Sequence, residues 1–170
     1  SILHRYLEEG RLDDESLEQI DPLLRSIAAD LRSGGASEPA EQLGDIVHAF
    51  GLVSVQIDVD GSLPDDAHVA AAFLQIIREA STNATKHAQA HQVQVRLWQE
   101  GVDGGAIAHM TVSNDGAPAP VSYREGTGIP GMRHVAQDLG GSLEVHAAPP
   151  FTLAVSIPLS SNATVQRRSS

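Results

Sequence analysis

Residues 65–98, DDAHVAAAFLQIIREASTNATKHAQAHQVQVRLW, hold the reading on which the fold turns. Asp65 or Asp66 stands where a helix cap belongs, because a carboxylate just ahead of an apolar-periodic run can accept from the first free amides. From there to about Ala90, with roughly 100° turned per residue, Val69, Phe73, Ile76, Ile77, Ala80 and Ala84 fall on one apolar stripe. Glu79, Asn83 and Lys86 run along its edge. The period then changes: Val93, Val95 and Leu97 alternate with Gln94, Arg96 and Trp98, the pattern of a strand with one buried face.

Upstream, Val53, Val55, Ile57 and Val59 alternate with Ser54, Gln56 and Asp58 and predict another half-buried strand. Glu38 to Phe50 reads as a short helix ending at Gly51. Within Asp13 to Ser33, Leu17, Ile20, Leu24, Ile27 and Leu31 have helical spacing; Gly34-Gly35 stops that helix, and Pro22 sets its start near Asp21 or kinks it. Downstream, Gly101 to Gly105 turns the chain into a strand carrying Ala108, Met110 and Val112, followed by a Gly- and Pro-rich loop from Asn114 to Gly128. Pro130 suits the first turn of a helix whose Met132, Val135, Ala136 and Leu139 face a core before Gly140-Gly141 ends it. Leu143 and Val145 mark one further strand. Phe151, Leu153, Val155 and Ile157 mark the last, with Pro158 as its stop. From Ser160 the chain reads as a disordered polar tail.

After the opening helices the order is β, α, β, β, α, β, β, and the tight turns between neighbouring strands require antiparallel pairing. The expectation is a two-layer α/β sandwich of helices on a mixed, mostly antiparallel sheet. Residues 1–35 are expected as a helical segment, 36–160 as the main domain and 161–170 as a tail.

The chain has 170 residues, enough for one domain with a sizeable core, and its hydrophobic fraction of 41% is ordinary. It contains no apolar run near the roughly 20 residues that cross a bilayer, no secretory leader pattern and no Cys, so a cytoplasmic setting is expected. A formal net charge of -11 speaks against a surface that tracks nucleic acid or an anionic membrane. It leaves open a polyphosphate ligand held by backbone amides, a helix N-terminus and magnesium.

Three segments can carry such chemistry. A carboxylate and an amide oxygen one turn apart, Glu79 and Asn83, can hold magnesium or its waters, and Lys86 can meet a phosphate; the same spacing also suits a solvated polar face. Gly126-Thr127-Gly128-Ile129-Pro130-Gly131-Met132 sets three glycines just before a helix, where amides approach phosphate oxygens without a Cβ in the way. An ordinary flexible loop has the same composition. Asn114-Asp115-Gly116 ends a strand and can turn an Asx oxygen toward an adenine amino group, or be a plain turn. His87 and His91 have helical metal spacing, yet no third ligand stands near them.

In this order the three segments resemble the signature of the GHKL ATPase superfamily, which includes histidine kinases, gyrase-type ATPases and Hsp90-type chaperones and has the Bergerat fold. Arg78 to Ala88 resembles the N-box, Asn114-Asp115-Gly116 the G1 box and Gly126 to Met132 the G2 box. Gly131-Met132-Arg133, followed by Leu139-Gly140-Gly141 and a strand, resembles the histidine kinases that partner LuxR-type response regulators, among them DesK-like and NarX-like sensors. The resemblance covers about Gly51 to Leu159, and the opening helix resembles the end of a dimerisation and phosphotransfer helix pair. It implies ATP and magnesium as ligands and transfer of the γ-phosphoryl group to a histidine. Glu79 would position the attacking group, Asn83 would bind magnesium, and Lys86 with His87 would approach the phosphates. Asn114 would contact adenine with help from Thr152, Gly116 would let the backbone close over the ring, and Gly126, Thr127, Gly128, Gly131 and Met132 would form the lid.

Three departures accompany the resemblance. Asn114 stands where the family usually has Asp, which keeps an acceptor oxygen but removes a charge and points to weaker nucleotide binding. Pro118 replaces the second glycine of the G1 box, and Thr127 stands where the subfamily often has His. A phosphoacceptor His followed by an acid is absent, since His4 precedes Arg5. The implied whole is a longer receptor kinase, homodimeric through its helical domain, membrane-anchored if its upstream sequence spans a bilayer. Two alternatives share the same residues: a degenerate module that binds nucleotide without catalysis, and an anti-sigma-type serine kinase.

Overall fold

The structure, a computed structural model, describes residues 38–116 and 128–159. The expected opening helix with His4, the expected tail, and Pro118, Gly126 and Thr127 lie outside the described residues. Helix α1 spans Pro39–Gly51 with Pro at its first turn, where the missing N–H costs nothing, and buries Leu43, Ile46, Ala49 and Phe50.

The strand expected from Val53 starts later. Val53 N–H and Val55 N–H both donate to the Phe50 carbonyl, at 3.1 and 3.0 Å, and Ser54 takes a φ of 63°. Val53 and Val55, each 1% exposed, are therefore buried in the turn that closes α1. Strand β1 is confined to Gln56–Asp60.

Helix α2, Ala67–His87, begins at Asp66, whose carboxylate accepts from the His68 and Val69 amides. Every residue of the predicted stripe is buried. So are Ala70, Leu74, Ser81 and Thr85 on the adjoining side, as suits a helix that packs against the sheet, α1 and a third helix. Thr82 and Thr85 satisfy their hydroxyls within α2, donating to the Arg78 and Ser81 carbonyls at 2.8 Å each.

Strand β2, Gln92–Val102, and strand β3, Gly105–Asn114, form a hairpin through Asp103-Gly104, with Gly104 at φ +88°. Helix α3 covers Ile129–Asp138, strand β4 Ser142–His146 and strand β5 Phe151–Leu159. The sheet order is β1-β2-β3-β5-β4. The pair β1–β2 is parallel because α2 carries the chain back between them, and the other pairs are antiparallel. Pro158 lies inside β5 rather than ending it. Pairing with β4 stops at Ser142↔Ser156, so the prolyl nitrogen meets no neighbour on that side.

The helices cover one face of the sheet, over Val93, Val95, Leu97, Met110, Val112, Leu153, Val155 and Ile157. The opposite face is polar and partly exposed. There Trp98 stacks on His109 with ring centroids 5.2 Å apart, and His109 lies between Ser156 Oγ at 2.9 Å and Glu100 Oε2 at 3.0 Å. At the β1 edge, hydrogen bonds from the Gln56 and Gln92 side chains hold the Asp58 carboxyl below its usual range.

Gly141 joins α3 to β4 where a methyl group would overlap the Ser156 carbonyl and stand 2.8 Å from Ile157 Cγ1. Gly141→Ala is expected to destabilise the fold by about 1–3 kcal/mol through overpacking against a backbone that cannot yield. Gly44, mid-helix in α1 with no atom of the described residues within 4 Å of its would-be Cβ, should instead gain about 0.5–1 kcal/mol on conversion to Ala. Urea midpoints of the two variants check both signs; equal stability for Gly141→Ala refutes the close approach.

Candidate functional site

Glu79, Asn83 and Lys86 lie on one side of α2 because three- and four-residue steps return to the same face. Glu79 is exposed, Asn83 is 8% exposed and Lys86 is half-buried. The start of α3 sits against the first two. Gly128 has φ +88°, and a Cβ on it would stand 2.6 Å from Glu79 Oε1 and 2.9 Å from Asn83 Nδ2. A side chain at this position fits only if that carboxylate and that amide swing away. With Nδ2 turned to Gly128, the Asn83 oxygen occupies the other fork of the amide.

Gly128 is also the N-cap of α3, and it brings no side chain to occupy the first-turn amides. Those amides and the positive end of the helix dipole therefore lie beside Glu79 and Asn83, a setting that favours an anion such as phosphate. Gly131, in the first turn of α3, has no atom of the described residues within 4 Å of where a Cβ would be. Met132 is 2% exposed and belongs to the core, where it anchors α3. His87 is the last residue of α2.

The second glycine segment reaches the far end of the same helix. Gly116 has φ +103°, and a methyl group there would overlap the Ala88 carbonyl. Asn114 ends β3 on the helix-covered face, in the alternation set by Met110 and Val112, and its Nδ2 donates to the Asp115 carbonyl at 2.6 Å. That bond fixes which way the amide points and reserves its oxygen as an acceptor.

Thr152 is not brought to this place. In the β3–β5 register Asn114 pairs with Phe151, whereas Thr152 pairs with Ser113 on the opposite face and donates its hydroxyl to the Pro150 carbonyl at 2.9 Å. A pleated strand cannot present neighbours to the same side. Phe151, packed against the core, is the β5 residue on the side of Asn114, and its place in the run Phe151, Leu153, Val155, Ile157 is the signal that could have identified it. The reading of single residues also missed Asp115, whose carboxylate acts on backbone far away in sequence.

Among the described residues, no three His, Asp or Glu are grouped as a metal cage. Glu79 and Asn83 offer two hard oxygens, a donor set that fits magnesium sharing its coordination with water and phosphate better than zinc.

Residues 68–161 match the family described as histidine kinase-, DNA gyrase B-, and HSP90-like ATPase. The signal transduction histidine-protein kinase/phosphatase UhpB of Salmonella typhimurium is 29% identical over 87 residues, which are 51% of this chain and 17% of that protein. Among solved structures, the blue-light activated histidine kinase EL346 of Erythrobacter litoralis superposes with a TM-score of 0.56 at 25% identity, over 71% of this chain and 45% of that one. The ATP binding domain of PrrB from Mycobacterium tuberculosis shares the fold, with a TM-score of 0.52 at 19% identity over 68% of this chain and 90% of that domain. The chain thus spans less than half the length of UhpB and of EL346.

Proposed function

Since the chain belongs to the histidine kinase-, DNA gyrase B- and HSP90-like ATPases, we propose that it is the ATP-binding catalytic domain of a two-component sensor histidine kinase. The observation that carries this reading is Gly128 seated between Glu79 and Asn83, which joins the acidic-amide edge of α2 to the start of α3. In the proposed site the Asn114 oxygen accepts from the adenine amino group, and Gly116 and Phe151 flank the base. Lys86 and His87 meet the phosphates, with Gly126, Thr127 and the first-turn amides of α3 closing over them. Glu79 orients the histidine nitrogen that attacks the γ-phosphorus. The Asn83 oxygen would hold magnesium, which when bound supplies charge neutralisation at the β- and γ-phosphates. Catalysis by these residues is positioning and electrostatics, because phosphoryl transfer asks little covalent chemistry of the protein.

The accepting histidine belongs to a helical dimerisation domain, for which residues 1–35 supply at most the end, and the phosphoryl group passes on to a response regulator of the LuxR type. In this proposal the domain works in the cytoplasm, where ATP is, whether or not the parent protein is membrane-anchored. No helix among the described residues is long and apolar enough to cross a membrane.

The test is a titration of Mg-ATP into this chain, followed by incubation of an N-terminally extended chain with ATP labelled at the γ-phosphorus. Saturable binding and an acid-labile, base-stable protein phosphate are expected. Binding without a labelled product supports instead a nucleotide-binding module, for which the neutral Asn114 is the specific argument. An acid-stable phosphoserine on a partner protein supports the serine kinase. Absence of binding removes the proposal.

A further inference from the structure

Asp115 is exposed, yet it holds together two parts of the site that lie far apart in sequence. The β2–β3 ladder ends at Val93↔Asn114. One step beyond, Asp115 N–H donates to the Gln92 carbonyl at 3.1 Å, and its Oδ1 accepts from the His91 N–H at 2.8 Å and the Gln92 N–H at 2.9 Å. A side-chain carboxylate thus continues the pairing where the backbone of β3 turns away. The segment it grips follows directly on the end of α2, where Ala88 and Ala90 N–H both donate to the Ala84 carbonyl. The Ala88 carbonyl lies where a side chain on Gly116, the next residue, would have to be. The connection from α2 to β2 is therefore fixed to the base end of the site by two adjoining residues.

From this geometry, and resting on the nucleotide-binding reading above, we infer that Asp115 is a positioning residue. It sets Asn114, which meets the base, at a fixed separation from Asn83 and Lys86, which meet magnesium and phosphate. Two charge-assisted bonds to consecutive amides make such a setting rigid, because a carboxylate oxygen is a stronger acceptor than a carbonyl and two donors fix its direction. Rigidity matters because a site preorganised at both ends spends less binding free energy on ordering itself around a ligand that engages both at once. The Asn114 amide is held in turn by the Asp115 carbonyl, so the orientation of the base-reading oxygen depends on the same residue.

The experiment compares the wild-type chain with Asp115→Ala and Asp115→Asn, each checked for folding by circular dichroism, using two ligands: Mg-ATP and Mg-tripolyphosphate. The alanine variant should bind Mg-ATP about tenfold more weakly, a loss of about 1.4 kcal/mol, while Mg-tripolyphosphate, which has no base, binds within about twofold of wild type. Asparagine retains an acceptor oxygen and should recover most of the loss. In an N-terminally extended chain, Asp115→Ala should raise KM for ATP and leave kcat within about twofold. Should the alanine variant fail to fold, Asp115→Ser takes its place in every comparison. Equal Mg-ATP affinity in wild type and variant overturns the inference alone, as does equal weakening toward tripolyphosphate. Failure of the wild-type chain to bind Mg-ATP overturns the functional reading beneath it.

Discussion

Replacing Gly128 with alanine is expected to lower Mg-ATP affinity by about 100-fold or more while leaving the fold intact. Two effects combine at this position. The φ of +88° is one that L-residues rarely adopt, which costs on the order of 1–2 kcal/mol. The added methyl would also meet Glu79 Oε1 at 2.6 Å and Asn83 Nδ2 at 2.9 Å. Both atoms are at the ends of side chains that can rotate away, so the backbone is spared. What moves is the pair of groups proposed to orient the attacking histidine and to hold magnesium, and loss of one bond to a charged partner, roughly 2–3 kcal/mol, corresponds to about 100-fold in affinity. Calorimetric titration with Mg-ATP, beside a thermal melt of the unliganded variant, reads the two parts separately. Wild-type affinity in a folded Gly128→Ala variant refutes the site.

Asn83→Ala should produce a loss of similar size with a different signature. Asn83 is 8% exposed, and its amide adjoins the entry to α3 at Gly128. If its oxygen is a magnesium ligand, its removal weakens nucleotide binding by about 10²-fold, in line with roughly 2–3 kcal/mol for a lost bond to a charged partner. The loss should appear in magnesium and largely vanish in EDTA, where wild type and variant become alike. Asn83→Asp, which keeps an oxygen at that place, should restore part of the magnesium-dependent affinity. A deficit of equal size with and without the ion would assign Asn83 a packing role against Gly128 instead.

Much of this was written locally in the chain. The Asp66 cap, the stripe from Val69 to Ala84 and the polar edge of α2 follow from helical spacing and a carboxylate ahead of it. The parallel pair follows from a helix inserted between β1 and β2, and the antiparallel β2–β3 and β4–β5 pairs from short turns, whereas the placing of β5 between β3 and β4 is not local. Val53 and Val55 were misplaced because burial is all that an alternating apolar pattern reports, and a helix-closing turn buries residues as well as a strand does. The resemblance points to Thr152, whereas the pleat decides which side chain faces the helices and gives that place to Phe151. Asp115 has no local signature, since its partners His91 and Gln92 lie 24 and 23 residues before it. Such a bond exists only once β2 and β3 have paired.

The chain contains a single tryptophan, and it stands against His109 on the face of the sheet turned away from the helices. Tryptophan emission from this protein is thus a gauge of its outer wall, separated from the proposed nucleotide site by the thickness of the sheet. Ligand binding is therefore better followed calorimetrically or with a labelled nucleotide than by tryptophan emission, because the one tryptophan faces away from the helices.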